Sequence, residues 1–428
     1  VQTRDGRVFL TANAGDVSSS GTVAARNADG SGGKVRVATA TRPAAAPARR
    51  ASAQQNVVDI SGTVDVSAER GAGGSVVIEA EAITLGSTAR IAASGPNGGG
   101  VIAIGGGFRG KDATILNADD VTVAAGSQIV ADAKVKGDGG QVSIWADGST
   151  TFHGAISARG GDKGGNGGFA EVSGKESVLV SGHADLRAPL GAAGTFLIDP
   201  GSITIQDGDN SAVDVNTFND DYIVAQLGLG NLTIATSAAT GGGAENITVK
   251  SGVSIVWNGA TMLSLQAGND IVVQNNVTIS NTQTGDGVNT FVLKDAGGVE
   301  LLAGRNIQIG TVNGAGAIRI GSEFGVTRLV AGDKNFDARP DSAGVGKVSI
   351  IGGAENSGVQ IGYRQTAARG DNTGADYAAP SLRAENGTIE LFAGGDIALL
   401  GGSGEGSFAQ IGHGGLTTGD TAAILRSD

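Results

Sequence analysis

Short segments with an apolar residue at every second position recur along the first half of the chain, each directly after a pair of small residues. The pairs end at Gly33, Gly74, Gly100, Gly140, Gly168 and Gly194, and all are glycine doublets except the last, which reads Ala-Ala-Gly. The segments that follow are Lys34–Val37, Ser75–Ile78, Val101–Ile104, Gln141–Ile144, Phe169–Val172 and Thr195–Ile198. Such short alternating runs are typical of β-strands that bury one face.

The spacing of these doublets is regular. Successive doublets lie 41, 26, 40, 28 and 26 residues apart. The two long spacings exceed the shortest by 15 and 14 residues, so we interpret each as one repeat unit plus an insert. A fixed period in this range predicts a solenoid, in which each unit buries its apolar face only against its neighbours.

Two further strand patterns recur between the doublets. Ile83–Leu85 and Ala89–Ala93 in one unit correspond to Val121–Val123 and Ser127–Ala131 in the next. Each unit therefore contains three short strands separated by glycine-rich corners. Stacking of equivalent strands predicts an all-β fold, a right-handed parallel β-helix with loop inserts and with alternate side chains pointing inward.

The repeat pattern divides the chain into four stretches. We predict a first β-helix coil over 1–40, a Pro/Ala/Arg-rich loop insert over 41–56, a regular β-helix with coils of about 26–28 residues over 57–205, and a continuation with longer, decorated coils over 206–428.

Three local features interrupt this regular pattern. The second insert, roughly 105–118, is expected to protrude as a surface loop, and 363–380 is the longest polar excursion. One short helix is predicted near 217–228, capped by Thr217 with Asp220 and ended by Gly228.

Composition supports a folded, β-rich chain. Gly accounts for 75 of the 428 residues, without the three-residue period of collagen, and 40% hydrophobic residues suffice for a core. The net charge of −12 argues against a nucleic-acid partner, which would need a basic face. The absence of Cys excludes disulfides and thiolate metal sites, and no run approaches the 18 apolar residues of a membrane-spanning helix.

Several phrases in the middle of the chain carry a resemblance to a known family. They are Gly164–Lys175 (GGNGGFAEVSGK), Asp185–Pro189 (DLRAP) and Gly194–Ile205 (GTFLIDPGSITI), with the upstream phrases Gly139–Asp147 and Ile156–Gly161. In these phrases the chain resembles the filamentous-haemagglutinin-like exoproteins, the large β-helical adhesins that bacteria export by two-partner secretion. The clear similarity covers about 57–310.

The resemblance implies a β-helical shaft, passage through an outer-membrane transporter during export, and a secreted or bacterial cell-surface location. It implies a surface adhesin or extracellular matrix protein whose partners are a host-cell, glycan or matrix surface, with end-to-end self-stacking as a further partner interaction. The chain lacks the Asn-Pro-Asn motifs of the family's secretion domain, and Val1 is not an initiator Met. We therefore expect an internal or processed portion of a longer precursor.

Three alternative functions remain open at this stage. They are a self-assembling extracellular filament subunit, a haem- or host-protein-capturing exoprotein, and a polysaccharide-cleaving β-helix enzyme. The enzyme needs an acidic cluster on one face, and the densest acidic patch comprises Asp207, Asp209, Asp214, Asp220 and Asp221. That patch lacks calcium-loop spacing and a repeated strand position, so no catalytic, cofactor-binding or metal-ligating residue is predicted.

The remaining candidate residues have simple interpretations. His153 and His183 fall in neighbouring coils, and they and His413 are interpreted as turn or surface residues. Arg369, Gly370 and Asp371 form the tripeptide that integrins bind, within the polar excursion, and are predicted as a receptor-binding site.

Overall fold

A computed structural model of the chain describes residues 2–3, 6–13, 15–39, 56–209, 214–236, 245–282, 297–322, 325–362 and 388–412. The chain forms two compact units. The first comprises Val1–Thr248 and Thr261–Asp270, and the second comprises Val249–Ala260 and Ile271–Asp428. In both units the regular structure of the described residues consists almost entirely of short parallel strands.

Short strands follow one another closely in the part of the chain up to residue 236. They are β1 (Gln2–Thr3), β2 (Arg7–Ala12), β3 (Val17–Ser19), β4 (Thr22–Ala25), β5 (Lys34–Thr39), β6 (Val57–Ile60), β7 (Thr63–Asp65), β8 (Ser75–Glu79), β9 (Ala82–Leu85), β10 (Arg90–Ala92), β11 (Val101–Ile104), β12 (Ala118–Val123), β13 (Gln128–Val130), β14 (Gln141–Phe152), β15 (Ala155–Ser157), β16 (Phe169–Gly174), β17 (Ser177–Val180), β18 (His183–Asp185), β19 (Thr195–Asp199), β20 (Ile203–Gln206), β21 (Thr217–Asn219) and β22 (Asn231–Thr236). Among the described residues of this part, a 3₁₀ turn covers Phe108–Gly110 and an α-helix, α1, covers Asp220–Leu227.

The later described residues continue the same pattern. Their strands are β23 (Ile247–Val249), β24 (Ser254–Trp257), β25 (Leu263–Ala267), β26 (Ile271–Val273), β27 (Val277–Asn281), β28 (Val299–Ala303), β29 (Ile307–Ile309), β30 (Ile318–Ser322), β31 (Thr327–Ala331), β32 (Val348–Ile351), β33 (Val359–Ile361), β34 (Ile389–Ala393), β35 (Ile397–Leu400) and β36 (Ala409–Ile411).

Three parallel sheets make up the coils of the first unit. Sheet I stacks β2, β5, β8, β11, β14, β16, β19, β22 and β25. Sheet II stacks β3, β6, β9, β12, the second half of β14, and β17. Sheet III stacks β1, β4, β7, β10, β13, β15 and β18. The coils up to β18 contribute strands to all three sheets, as a parallel β-helix requires, and the prediction of that fold is confirmed.

The glycine doublets set the register of sheet I. Lys34, Ser75, Val101, Gln141, Phe169 and Thr195, the residues directly after the six pairs, lie opposite one another from strand to strand. Sheet II aligns Ile83 with Val121, and sheet III aligns Arg90 with Gln128, as the shorter patterns predicted. The sequence period is therefore the coil period.

The core consists of aliphatic columns, because alternate positions of each strand face inward. On sheet I the columns contain Val37, Ile78, Ile104, Ile144, Val172, Ile198 and Ile234, all fully buried. Each column residue contacts its counterpart in the coils on either side, so burial of apolar surface, at about 25 cal/mol per Å², stabilises every coil through its neighbours.

The predicted helix near 217–228 exists, but its N-terminus is displaced. Thr217–Asn219 forms β21, which pairs in parallel with β20, so the helix starts only at Asp220. The predicted cap by Thr217 and Asp220 is wrong: Asn219 precedes the first turn without a side-chain cap, and Asp220 accepts the Gly208 N–H at 3.0 Å. Gly228 follows the last helical residue as predicted, and Tyr222 and Ile223 are buried.

The second unit repeats the architecture with its own strands. One sheet stacks β28, β31 and β34, a second stacks β26, β29, β32 and β35, and a third stacks β24, β27, β30, β33 and β36. All these pairs are parallel. No helix among the described residues has the length and apolar character needed to cross a membrane.

The predicted stretches fare differently. Residues 40–55, and so nearly all of the predicted loop 41–56, lie outside the described residues, as does the excursion 363–380. The insert 105–118 is described, and it lies at the surface with residues 111–114 exposed. It folds back across the outer face of sheet I, held by backbone hydrogen bonds to buried carboxylates.

Candidate functional site: a buried carboxylate beneath an insert

The tip of the insert 105–118 lies on β16 of sheet I. The Arg109 backbone N–H donates to both carboxylate oxygens of Glu171, at 3.1 and 3.0 Å. Beside it, the Phe108 ring meets Phe169 edge-on, with ring centroids 5.5 Å apart. Arg109 has φ +52°, a left-handed conformation that is uncommon for a residue with a side chain, so the tip is held by its contacts.

The residues beneath the tip are excluded from solvent. Glu171, Ser173 and Asp199 each have 0% exposure, although all three point outward from their strands. The parallel register places Ser173 directly opposite Asp199. Buried carboxylates normally require hydrogen bonds or a cation, and here the insert supplies both.

Arg109 is the cation at this site, but its guanidinium does not come within hydrogen-bond distance of Asp199 through Nε. Its Nε lies 3.6 Å from Asp199 Oδ2, close enough for an ion pair but too far for a hydrogen bond. That buried Nε has no hydrogen-bond partner among the described residues, whereas the Ser173 hydroxyl hydrogen-bonds to the Glu171 carboxylate and lowers its pKa. The site therefore contains one buried donor whose hydrogen-bonding capacity is unused.

Burial dominates the electrostatics of Glu171. The pKa of its carboxyl is raised from 4.5 to about 7, mainly by desolvation, and the neighbouring Asp199 charge acts in the same direction. The Arg109 N–H, the Ser173 hydroxyl and the Arg109 guanidinium act in the opposite direction. The pKa of Glu245 is also raised, first by burial and then by Asp199, so acidic groups influence one another across neighbouring coils.

A second buried glutamate holds the other end of the insert. Glu79 on β8 accepts the Leu116 N–H at 3.0 Å. Arg36 on β5 pairs with Glu79 at 2.6 Å and donates to the Thr114 carbonyl at 3.1 Å. The insert is thus fixed at two points by side chains that precede or follow it by tens of residues.

Trp145 lines the middle of the covered surface. Its Nε1 donates to Asp147 Oδ1 at 3.1 Å, and Asn117 donates to the same oxygen at 3.2 Å and to the Gly110 carbonyl at 3.0 Å. Gly110 lies so close to the indole that a Cβ would stand 2.4 Å from Nε1, and its φ is +61°. Only glycine fits this approach.

Together these residues form a surface that we call the acidic cleft, defined by Glu171, Ser173, Asp199, Phe169 and Trp145. Carboxylates beside aromatic faces can accept N–H donors and hold a cation. The sequence analysis did not single out Glu171, although it lies within a phrase that carries the family resemblance. The sequence places this charged residue at an outward position of a strand in the middle of a sheet, where it is expected to be exposed. In the structure the insert covers it.

The predicted receptor-binding residues Arg369, Gly370 and Asp371 lie outside the described residues, as does His413, so that prediction is not tested. The two described histidines do not meet. His153 Nδ1 lies 2.6 Å from Ser181 Oγ, whereas His183 stacks on Tyr222 with ring centroids 4.9 Å apart. Burial lowers the pKa of His183.

A loop in the second unit has spacing that the sequence analysis missed. Asp333, Asn335, Asp337 and Asp341 stand at the first, third, fifth and ninth positions of an EF-hand-type loop. Asp333, fully buried, accepts the Ala338 N–H at 2.8 Å, and Ala338, at the usual glycine position, has φ +62°. The twelfth position is Gly344 where EF-hands carry Glu. No group of three His, Cys, Asp or Glu within the described ranges could hold a metal ion.

Comparison with known proteins leaves the family resemblance as a prediction. Neither the models of protein families nor the curated proteins contain a match to the chain.

Proposed function

We propose that the chain is a secreted bacterial surface adhesin or extracellular matrix protein of the filamentous-haemagglutinin-like kind, which binds through the outer faces of its coils and their loops. The observation that carries the proposal is the register of sheet I. Phe169 and Thr195, from two phrases of the resemblance, are direct neighbours in consecutive coils, so these phrases are structural repeats.

Stacked coils suit this role for a physical reason. Outward positions of successive strands form continuous rows, so a long array presents a large binding surface without needing an enclosed pocket. Loops can be inserted at the corners without disturbing the core columns. The net charge of −12 keeps such a surface solvated and disfavours nucleic acid.

The proposed export route agrees with the composition. A chain without Cys forms no disulfide before it passes unfolded through an outer-membrane transporter. We therefore place the protein outside the cell or on the bacterial surface, with the transporter as its partner in export and a host-cell, glycan or matrix surface as its partner afterwards.

A filament subunit is the second candidate, favoured by the last described coil. Leu399 on β35 is 38% exposed, whereas its register partner Ile350 on β32 is fully buried. Phe392 on β34 is 45% exposed opposite the buried Val330. Exposed apolar positions on these strands favour stacking against a second copy of the chain, which sedimentation velocity over a range of concentrations would detect.

The adhesin proposal is tested by binding of the labelled chain to cultured host cells, glycan arrays and immobilised matrix proteins. The proposal is supported if binding is saturable and the heat-unfolded chain does not compete for it. It is contradicted if the chain binds no more strongly than an unrelated acidic solenoid. Asp371→Glu tests the predicted receptor tripeptide, with Asp376→Glu in the same segment as the matched control. A loss of cell binding confined to the first variant supports the receptor site.

A further inference from the structure

We propose that the acidic cleft is a binding site for an arginine-bearing peptide segment, and that Arg109 of the insert occupies it in cis. This inference concerns a surface of the first unit and does not depend on the adhesin role.

The occupant already in place shows what chemistry the cleft accepts. Both carboxylate oxygens of Glu171 accept a hydrogen bond from the backbone N–H of Arg109, and Asp199 lies beside its guanidinium. These are the two groups that an extended peptide with an arginine side chain presents. A lysine side chain would supply the positive charge, but it lacks the planar guanidinium group, which can donate to a carboxylate and to a neighbouring hydroxyl at the same time.

The cis occupant fills the site poorly. Arg109 Nε stops 3.6 Å from Asp199 and has no hydrogen-bond partner among the described residues. A guanidinium that approaches without the constraint of the insert backbone can come within hydrogen-bond distance of Asp199 and of Ser173, which lies opposite it. The left-handed conformation of Arg109 adds a cost that a free peptide does not have.

Aromatic rings complete the specificity. Phe169 lies under the insert tip, and Trp145 is in register with Ser173, which in turn lies opposite Asp199, so the indole is two strands away from the carboxylate. Stacking of arginine on aromatic faces and its pairing with carboxylates reinforce each other in a desolvated site.

The charges around Glu171 make occupancy depend on pH. The facing groups are Arg109 from the insert, Ser173 on its own strand and Asp199 on β19, with Glu245 acting on Asp199 from the next coil. With the insert in place the pKa of Glu171 is about 7, mainly because of burial, so ionisation at higher pH opposes closure. If the open form has the ordinary pKa of 4.5, the closed-to-open ratio falls roughly 70-fold between pH 5 and pH 8.

The test uses a labelled Gly-Phe-Arg-Gly-Lys peptide, the sequence of residues 107–111, titrated by fluorescence anisotropy into the full chain. Arg109→Gly vacates the guanidinium position, and glycine suits the left-handed backbone. We expect this variant to bind the peptide at least about tenfold more tightly than the original chain, and wild-type binding to be stronger at pH 8 than at pH 5.

Matched controls separate this site from general charge effects. Arg187→Gly removes an arginine that pairs with Asp185 on sheet III and should leave affinity unchanged. Asp199→Asn in the Arg109→Gly background should abolish the gain, and a peptide with neutral citrulline in place of arginine should not bind.

Equal affinity of the Arg109→Gly and Arg187→Gly chains, or equal binding of the citrulline peptide, would overturn the proposal. Circular dichroism checks that each variant is folded. If Arg109→Gly does not fold, the test uses the wild-type chain. Its peptide affinity and the hydrogen-exchange protection of the Arg109 amide, corrected for the intrinsic pH dependence of exchange, are then measured at pH 5 and pH 8. If neither changes with pH, the proposal is overturned.

Discussion

The side chain of Gln226 pairs with the backbone of Ala184 as a neighbouring strand would. Its Oε1 accepts the Ala184 N–H at 3.0 Å, and its Nε2 donates to the Ala184 carbonyl at 2.8 Å. Ala184 is the middle residue of β18, the last strand of sheet III, and both groups are buried. Helix α1 therefore covers this sheet edge and satisfies hydrogen bonds that a further coil would otherwise supply.

Replacing Gln226 should destabilise the first unit. In Gln226→Leu, two buried backbone groups of Ala184 lose their partners, and we expect the free energy of unfolding to fall by about 2–4 kcal/mol. Urea denaturation followed by far-UV circular dichroism measures the change. Ala225→Gln, at an exposed position of the same helix, is the control and should stay within about 0.5 kcal/mol. A Gln226→Leu chain as stable as this control would show that the edge does not need the amide.

The corner glycines should differ sharply in their tolerance of a methyl group. A Cβ on Gly168 would stand 2.1 Å from the Gly140 carbonyl oxygen of the preceding coil, so Gly168→Ala must separate two coils. We expect a loss of about 1–3 kcal/mol, measured by thermal unfolding. Gly21, where a Cβ meets nothing within 4 Å, is the matched site, and Gly21→Ala should be neutral or slightly stabilising. Equal effects at both sites would contradict the close stacking.

An arginine joins three coils of the second unit. Arg328 on β31 lies between Glu300 on β28 and Glu390 on β34, is paired with both in register, and has its Nε 2.6 Å from Glu390. In Arg328→Met the two carboxylates lose their shared cation, and we expect a destabilisation of about 2–3 kcal/mol. The triple variant Arg328→Met, Glu300→Gln, Glu390→Gln should recover part of this loss. No recovery would mean that Arg328 acts through packing.

Glu171 should make the stability of the first unit fall as pH rises. Its pKa is about 7 in the folded chain and 4.5 ordinarily, so the folded state binds the proton more tightly. The stabilising contribution is complete below about pH 4.5, declines as pH rises, and is lost above about pH 7, a total of roughly 3 kcal/mol. Denaturation between pH 4.5 and 8 measures it. Glu171→Gln should flatten this part of the profile, whereas Glu176→Gln should retain it, and parallel profiles for the two variants would contradict the assignment.

The sequence predicted the coils well because their determinants are local and repeated. The residue after each small-residue pair marks the start of a sheet I strand, and alternation within the strand identifies residues such as Val172 as inward. A one-residue error in register would place the column residues in solvent, so the aliphatic pattern leaves little freedom.

The start of the helix and the position of the insert were harder to predict, because both depend on contacts with other parts of the chain. Thr217 has the sequence features of a helix cap, but pairing with β20 draws it into a strand. The insert depends on Glu79 and Glu171, which lie before and after it in the chain and meet it only after the coils have stacked. Alternation places both glutamates on the outer face but does not indicate what covers them.

The register of the coils can be measured directly with introduced cysteines, because the chain contains none of its own. Thr122 and Thr151 lie opposite each other on the outer face of sheet II, whereas Thr150, one residue away, is buried. Neighbouring strands lie about 4.8 Å apart, within the range that a disulfide spans. We expect Thr122→Cys with Thr151→Cys to form an intramolecular disulfide under mild oxidation, seen by mass spectrometry, and Thr122→Cys with Thr150→Cys to stay reduced. Crosslinking of the second pair without the first would contradict the in-register stack of coils.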